Sequence, residues 1–229
     1  SNPQEPILTN ALFYKAICAL EMKNYQAEIE LGLLLEKNPE HIKANFARFR
    51  LGKYFYQNKK YPKAIEQYKE VDSEALTQDE RKEYWFNLGH SYFETEKYAE
   101  AKGYLTRTSK NKDKYFYPSN YYLGYIVMLE NELDAALNYF NNVQSSKIYG
   151  PIIPLYMVRI YYAKNNYDKV IDYTDTIKNI KDKKEVYWIR GQAFYQLKNY
   201  KESWPLLNEN RPEQNRISSE DRYMIGNAA

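Results

Sequence analysis

The sequence predicts an all-α fold, a right-handed superhelical solenoid of antiparallel helix pairs, and three observations predict it. A small residue recurs at Ala16, Gly52, Gly89, Gly124, Val158, Gly191 and Gly226, in steps of 36, 37, 35, 34, 33 and 35 residues. Nine residues after each of the first six stands a large one: Tyr25, Tyr61, Tyr98, Leu133, Tyr167 and Tyr200. Helix breakers are few, with 8 Gly and 9 Pro in 229 residues. A fixed repeat of this length marks a stack of supersecondary units, each unable to bury its apolar face alone.

The units follow in order along the chain. The first spans about residues 9–41 and carries Ala16, Tyr25 and Glu28. The second (45–76) carries Leu51-Gly52, Phe55, Tyr61, Ala64, Ile65 and Tyr68, with Val71 beyond. Pro62 falls just inside its second helix, where a missing N–H costs little. The third (82–112) is preceded by Thr77-Gln78-Asp79-Glu80, the pattern of a capping box before the helix that carries Trp85. Trp85, Leu88, Gly89, Tyr92 and Phe93 then keep a 3.6-residue period. The polar stretch Glu94-Thr95-Glu96-Lys97 makes the turn, and the second helix is expected over Tyr98 to Thr108, with Leu105 on its apolar face. Gly89 costs its helix up to about 1 kcal/mol. The expected compensation is close approach of the second helix at the level of Ala101.

The fourth unit (117–148) carries Leu123-Gly124, Leu133, Ala136, Phe140 and Val143. Gly150-Pro151 marks a boundary. The fifth (151–180) carries Met157-Val158, Tyr167, Val170 and Ile177, and the sixth (184–212) Gly191, Tyr200, Ser203 and Leu207. Pro39, Pro118, Pro151, Pro154 and Pro212 fall between units or at helix starts, whereas Pro205 lies inside a second helix and predicts a local distortion. A partial seventh unit (218–229) opens on Ser218-Ser219-Glu220-Asp221 as a cap and repeats the pair as Ile225-Gly226. Ser1-Asn2 reads as a cloning remnant. The sequence reaches Ala229 with no polar closing helix, so a piece of a longer array is expected.

This pattern resembles the tetratricopeptide repeat family, whose period is about 34 residues. The third unit fills the signature slots with Trp85, Leu88-Gly89, Tyr92, Tyr98 and Ala101. The second matches through Leu51-Gly52, Phe55, Tyr61, Ala64, Ile65 and Tyr68, and the fourth through Leu123-Gly124, Ala136 and Phe140. Units one, five and six depart from it: Lys15-Ala16 and Met157-Val158 replace Leu-Gly, and Ser203 replaces the second-helix alanine. The resemblance covers about residues 10 to 212.

Composition narrows the function classes. Lys and Arg number 33 against 30 Asp and Glu, a net charge of +3, too small a bias to point to nucleic acid. Tyr is in excess at 26 copies, a side chain suited to packed and half-exposed positions. The lone Cys18 sits in Ala16-Ile17-Cys18-Ala19 and is expected to be a small buried core residue. No apolar stretch reaches the ~18 residues of a membrane span. His41 and His90 are the two histidines, and no ligand spacing, phosphate loop or nucleophile motif accompanies them. No catalytic residue, metal or cofactor is therefore expected. The lysine-rich stretches at 110–114 and 178–184 carry interspersed acids and read as solvated loops.

Function is then expected on the face formed by the first helices, which in such arrays lines a concave binding surface. By the resemblance, that groove takes Phe49, Lys53 and Tyr56 from the second unit and Phe86, His90 and Phe93 from the third. It takes Tyr121, Tyr125 and Met128 from the fourth, Leu155, Arg159 and Tyr162 from the fifth, and Trp188, Gln192 and Tyr195 from the sixth. Some family members clamp an acidic peptide terminus with Lys, Asn and Arg. Here Asn87 holds one such slot, but Phe49, Lys53, Pro118 and Tyr122 hold the flanking ones, so that specificity is not carried over. The favoured expectation is a non-catalytic scaffold binding a protein or peptide segment in an aromatic trough. A glycan- or small-ligand-binding module and a regulatory arm of a larger enzyme are the other two. Self-association through open ends is possible in such an array. The Lys-, Asn- and Tyr-rich composition suggests a bacterial source, and the resemblance, since many long bacterial members of the family work in the cell envelope, implies a periplasmic or envelope setting over a cytoplasmic one.

Overall fold

The computed structural model describes residues 5–22, 24, 26–177, 180–212 and 218–228. Tyr25, with Ser1, Asn2, Lys178 and Ala229, lies outside the described residues. Among those described the chain is helical with no strand: α1 (Glu5–Glu21), α2 (Ala27–Lys37), α3 (Ala44–Gln57), α4 (Tyr61–Lys69), α5 (Gln78–Glu94), α6 (Tyr98–Thr108), α7 (Phe116–Leu129), α8 (Leu133–Val143), α9 (Ile153–Ala163), α10 (Tyr167–Thr176), α11 (Lys183–Gln196), α12 (Tyr200–Glu209) and α13 (Ser219–Ala228). Short 3-10 turns cover Ser73–Ala75 and Gly150–Ile152. No described helix is long and apolar enough to cross a membrane.

The helices form two compact units, residues 1–122 and 123–229, divided within α7. In the first, α1 packs on α2, α3 on α4 and α5 on α6. Each second helix also meets the next first helix, α2 on α3 and α4 on α5, and the first helices meet one another in sequence. Phe13, Leu31, Phe49, Leu51, Tyr68, Leu88 and Leu105 are fully buried between these layers. The second unit repeats the scheme. There α9 packs on α8, α10 and α11, and α11 on α12 and α13. Its core runs through Val158, Val170, Val186, Ile189, Ala193 and Leu207.

One offset sets the register of the pairs. A Cβ on Gly52 would lie 2.8 Å from the ring of Tyr68, and one on Gly124 2.7 Å from that of Phe140. On Gly89 and Gly191 it would lie 3.0 Å from Leu105 and Leu207. All four large partners stand sixteen residues after their glycine. The expected contact of Gly89 with Ala101 is thus corrected: the second helix comes closest one turn further on, at Tyr104 and Leu105. The fifth unit trades bulk at the same offset, with Val158 followed by the buried Thr174, whereas the first has Gly32 there, where a Cβ would meet nothing within 4 Å. Close packing tolerates such exchanges because summed volume is what must be conserved.

The turns are equally regular. Lys59, Glu96, Asn131, Asn165 and Lys198 each adopt a φ between 55° and 61°. Each stands two residues before its second helix. The N–H of Glu96 donates to the carbonyl of Phe93 and that of Lys97 to Tyr92 (both 2.9 Å), and the other four turns repeat this pair of bonds. This is the Schellman arrangement, which satisfies the last carbonyls of a helix through a left-handed residue. Glycine is the usual choice there, and none of the five is glycine.

Local signals hold at several ends. Thr77 and Glu80 form the reciprocal capping box, and Pro62 sits at the start of α4. Ser218 and Asp221 exchange the same two bonds at α13, N–H to carboxylate at 3.1 Å and N–H to hydroxyl at 3.0 Å. Two expectations are corrected. α12 runs uninterrupted through Pro205, whose ring lies on the exposed side and costs one helical bond. Cys18 is exposed: α1 turns Ala16, Ile17 and Leu20 inward, and Cys18 falls on the opposite face.

Candidate functional site: an aromatic cluster around His90

The predicted groove residues occupy three slots along each first helix: three residues before the small residue, one after it and four after it. The structure treats the slots differently. At the first slot Phe49 is 0%, Trp188 5% and Phe86 9% exposed, so these three are core and present no side chain to a partner. Their assignment to a binding groove is corrected. The physical reason is the neighbouring layer: Tyr68 packs at 6.3 Å over Phe49 and Tyr115 at 5.0 Å over Phe86. Tyr121 and Leu155, at the same slot, are half-buried.

The second slot is taken up by ties to the next first helix. Lys53 pairs with Glu83 at 2.8 Å, Arg159 with Glu185, and Gln192 Nε2 donates to Asp221 Oδ1 at 2.7 Å. The basic and polar handles expected to meet a ligand thus already hold acids 26 to 30 residues further on. Tyr125 packs edge-on against Tyr156 at 6.2 Å.

The third slot is half-buried in all five units: Tyr56, Phe93, Met128, Tyr162 and Tyr195. In four of them an aromatic meets the first residue of its own second helix across the turn. The pairs are Tyr56–Tyr61 (6.1 Å), Phe93–Tyr98 (5.7 Å), Tyr162–Tyr167 (5.3 Å) and Tyr195–Tyr200 (5.5 Å), with rings inclined by 60–63°. Edge-to-face contact of this kind adds about 0.5–1.5 kcal/mol beyond burial. The left-handed turn residue brings the two rings together. Their constant spacing of five is legible in the sequence.

In the first unit these pairs fuse. His90 shares a 3.0 Å hydrogen bond through Nδ1 with Tyr56 Oη. Its ring lies 4.5 Å from Tyr122, 5.8 Å from Tyr61 and 5.9 Å from Phe86, and Phe93 lies 4.6 Å from Tyr122. Three first helices, α3, α5 and α7, and the starts of α4 and α6 thus contribute to one continuous aromatic surface. Phe86 is its floor; Tyr56, Tyr61, Phe93, Tyr98 and Tyr122 are half-exposed walls. Tyr122 was read only as a slot unsuited to a clamp, and the Tyr121-Tyr122 doublet is the signal that could have placed it.

The cluster holds His90 neutral. Burial pushes its imidazole below the ordinary 6.5, against the opposing pull of Glu94. Glu94 Oε1 is 3.1 Å from Nε2, yet Nε2 makes no directed hydrogen bond. Asn87, the remaining clamp slot, is 4% exposed and donates to Tyr68 Oη at 3.1 Å. Burial raises the Tyr68 phenol well above 10, and the neutral hydroxyl serves as the acceptor Asn87 needs. Among the described residues no three His, Cys, Asp or Glu side chains gather to hold a metal ion. The arrangement offers ring faces and edges to an apolar or aromatic side chain, with imidazole and phenol groups at its centre.

No family model matches the chain, and no curated protein sequence matches it. Solved structures do. The chain is similar to Pseudomonas aeruginosa pilF, at 17% identity over 100% of both chains with a TM-score of 0.55. It is similar to BtubC (BKLC) from P. vanneervenii, at 12% identity over 92% of this chain and 96% of that one, with a TM-score of 0.53. A tetratricopeptide repeat protein from Parabacteroides merdae aligns with 96% of this chain and 98% of its own at 13% identity, with a TM-score of 0.36. At these identities the shared feature is the fold. The repeat signature, the helix pairs it builds and the likeness to the first two of these structures together give the chain a tetratricopeptide-like helical repeat fold.

Proposed function

We propose that the chain is a non-catalytic scaffold that holds a partner protein, and that its first unit takes an extended segment or helix of that partner on the aromatic surface around His90. The observation that supports this is the fusion of half-buried rings from three successive first helices. Six residues that could have packed in isolation instead form one surface with aromatic walls. Aromatic residues held rigid by their neighbours are the side chains that most often dominate binding energy, because little conformational entropy is lost on contact. The partner's anchor is an apolar or aromatic side chain, since the polar handles of the second slot are already engaged.

The test is selection of binding peptides from a random library, followed by NMR of the complex. Selected peptides should share an apolar anchor and shift the His90 and Tyr122 ring resonances. The double variant Phe93→Ala/Tyr122→Ala should weaken them at least about tenfold with unchanged helicity. Peptides that bind without disturbing either ring, or that bind the double variant equally, would overturn the proposal.

A further inference from the structure

Near the N-terminal end of α5 lies a second feature that shares no residue with the aromatic surface. A cavity of about 290 Å³ is lined by Gln78, Arg81, Lys82, Trp85, Arg107 and Asn111. Trp85 and Phe93 are eight residues apart, about 12 Å along the helix. Three cations meet here, and two are neutralised. Arg81 pairs with Glu74 at 3.0 Å and also donates to the Glu74 and Leu76 carbonyls. Lys82 pairs with Asp113 at 2.9 Å. Asp79, the other carboxylate close enough to act on Lys82, is exposed and does not line the cavity.

Arg107 is different. Its guanidinium lies over Trp85 at 5.2 Å and beside Tyr104 at 5.7 Å, and among the described residues it makes no ion pair or hydrogen bond. Arg107 is exposed, and stacking on the indole holds the planar group while leaving its N–H edge open to solvent with no protein acceptor.

We infer that this cavity is a binding site for a carboxylate, with Arg107 as its charge partner and the Trp85 ring as the platform that holds the guanidinium. One uncompensated positive charge matches a carboxylate, whereas a phosphate dianion would leave a net negative charge. The planar guanidinium edge fits the two carboxylate oxygens, and the amides of Gln78 and Asn111 stand at the rim to complete the shell. The inference does not depend on the proposed role of the aromatic surface.

The chain has three tryptophans, Trp85, Trp188 and Trp204, so indole N–H signals report on the site directly. The 15N-labelled protein is titrated with N-acetylglycine, inorganic phosphate and sodium chloride at matched ionic strength, and Trp85→Phe assigns the signal. N-acetylglycine should move the Trp85 Nε1–H signal saturably while those of Trp188 and Trp204 stay in place. Arg107→Gln should weaken that response at least about tenfold, and Arg107→Lys should not restore it, because an ammonium lacks the planar fork. Absence of saturation, equal movement with chloride, or an unchanged response in Arg107→Gln would overturn the site. Phosphate binding tighter by about tenfold or more would overturn its assignment to a carboxylate.

Discussion

The first and second units use the same slots and reach different surfaces. In residues 1–122, the aromatic pairs formed across the turns of α3 and α5 are joined by His90 and Tyr122 into one cluster. In residues 123–229, the second-slot residues do not bridge Tyr162–Tyr167 or Tyr195–Tyr200: Arg159 pairs with Glu185 and Gln192 with Asp221. The residue at the second slot accounts for the contrast. His90 is flat and neutral and packs among rings, whereas Arg159 and Gln192 reach away to acids on the next first helix. Slots of the same repeat therefore serve as either a shared surface or an interhelical tie, according to one side chain.

The comparison assumes a common helix-pair register, and the largest predicted effect tests that. Gly52→Val in the first unit and Gly124→Val in the second would each drive a side chain into a fully buried ring, at a cost of roughly 3 kcal/mol. Denaturant unfolding measures it. Gly103→Ala and Gly226→Ala, where a Cβ meets nothing within 4 Å, should instead gain up to about 1 kcal/mol. Tolerance of valine at either packed glycine would show that the units are not built alike.

Next in size are the buried polar groups. Asn87→Leu leaves the Tyr68 hydroxyl without its donor and should destabilise by about 2 kcal/mol. In the second unit Ser203, whose Oγ donates to the Gly191 carbonyl at 2.9 Å, holds a slot that alanine fills at Ala64, Ala101 and Ala136. Ser203→Ala should stay within about 0.5 kcal/mol of the parent, because the donor leaves together with its bond. Equal losses for the two would break this contrast between an essential and a replaceable polar contact.

The turns should behave identically in both units. Glu96→Gly and Lys198→Gly each relieve a left-handed residue of its Cβ and should gain about 0.5–1 kcal/mol, read as a raised unfolding midpoint. A loss at either would mean that its side chain contributes more than its backbone conformation costs.

The smallest effect is confined to the first unit. The folded protein binds a proton at His90 less readily than the unfolded chain, whose imidazole titrates near 6.5. Stability should thus fall as the pH drops through about 6.5, and the loss is complete below the depressed folded value. His90→Gln should remove that slope. An unchanged slope in the variant would assign it to other groups.

Much of this was legible in the sequence because it is written in local spacing. The small residue, the anchor nine residues later and the large residue sixteen later name the helix pairs, and Tyr98 to Thr108 falls where the period places it. The Thr77 box and Pro62 needed no tertiary information, since caps act within one turn. The site was legible only in part. Periodicity identified the stripe along each first helix but could not say which third of it neighbouring layers cover. Phe49, Phe86 and Trp188 share their stripe with Tyr56, Phe93 and Tyr195 and differ in burial alone.

By itself, then, the sequence determined the helical repeat and its register, because a helix reads its own neighbours at three and four residues. The tertiary structure decided which rings face outward, which cations are already paired, and that Lys59, Glu96 and Lys198 adopt a left-handed turn with no glycine to announce it. The first two outcomes depend on side chains about thirty residues away, brought within a few ångströms by stacking. Exposure, pairing and the joining of rings at His90 arise at those contacts, where residue identity along a single helix carries no information.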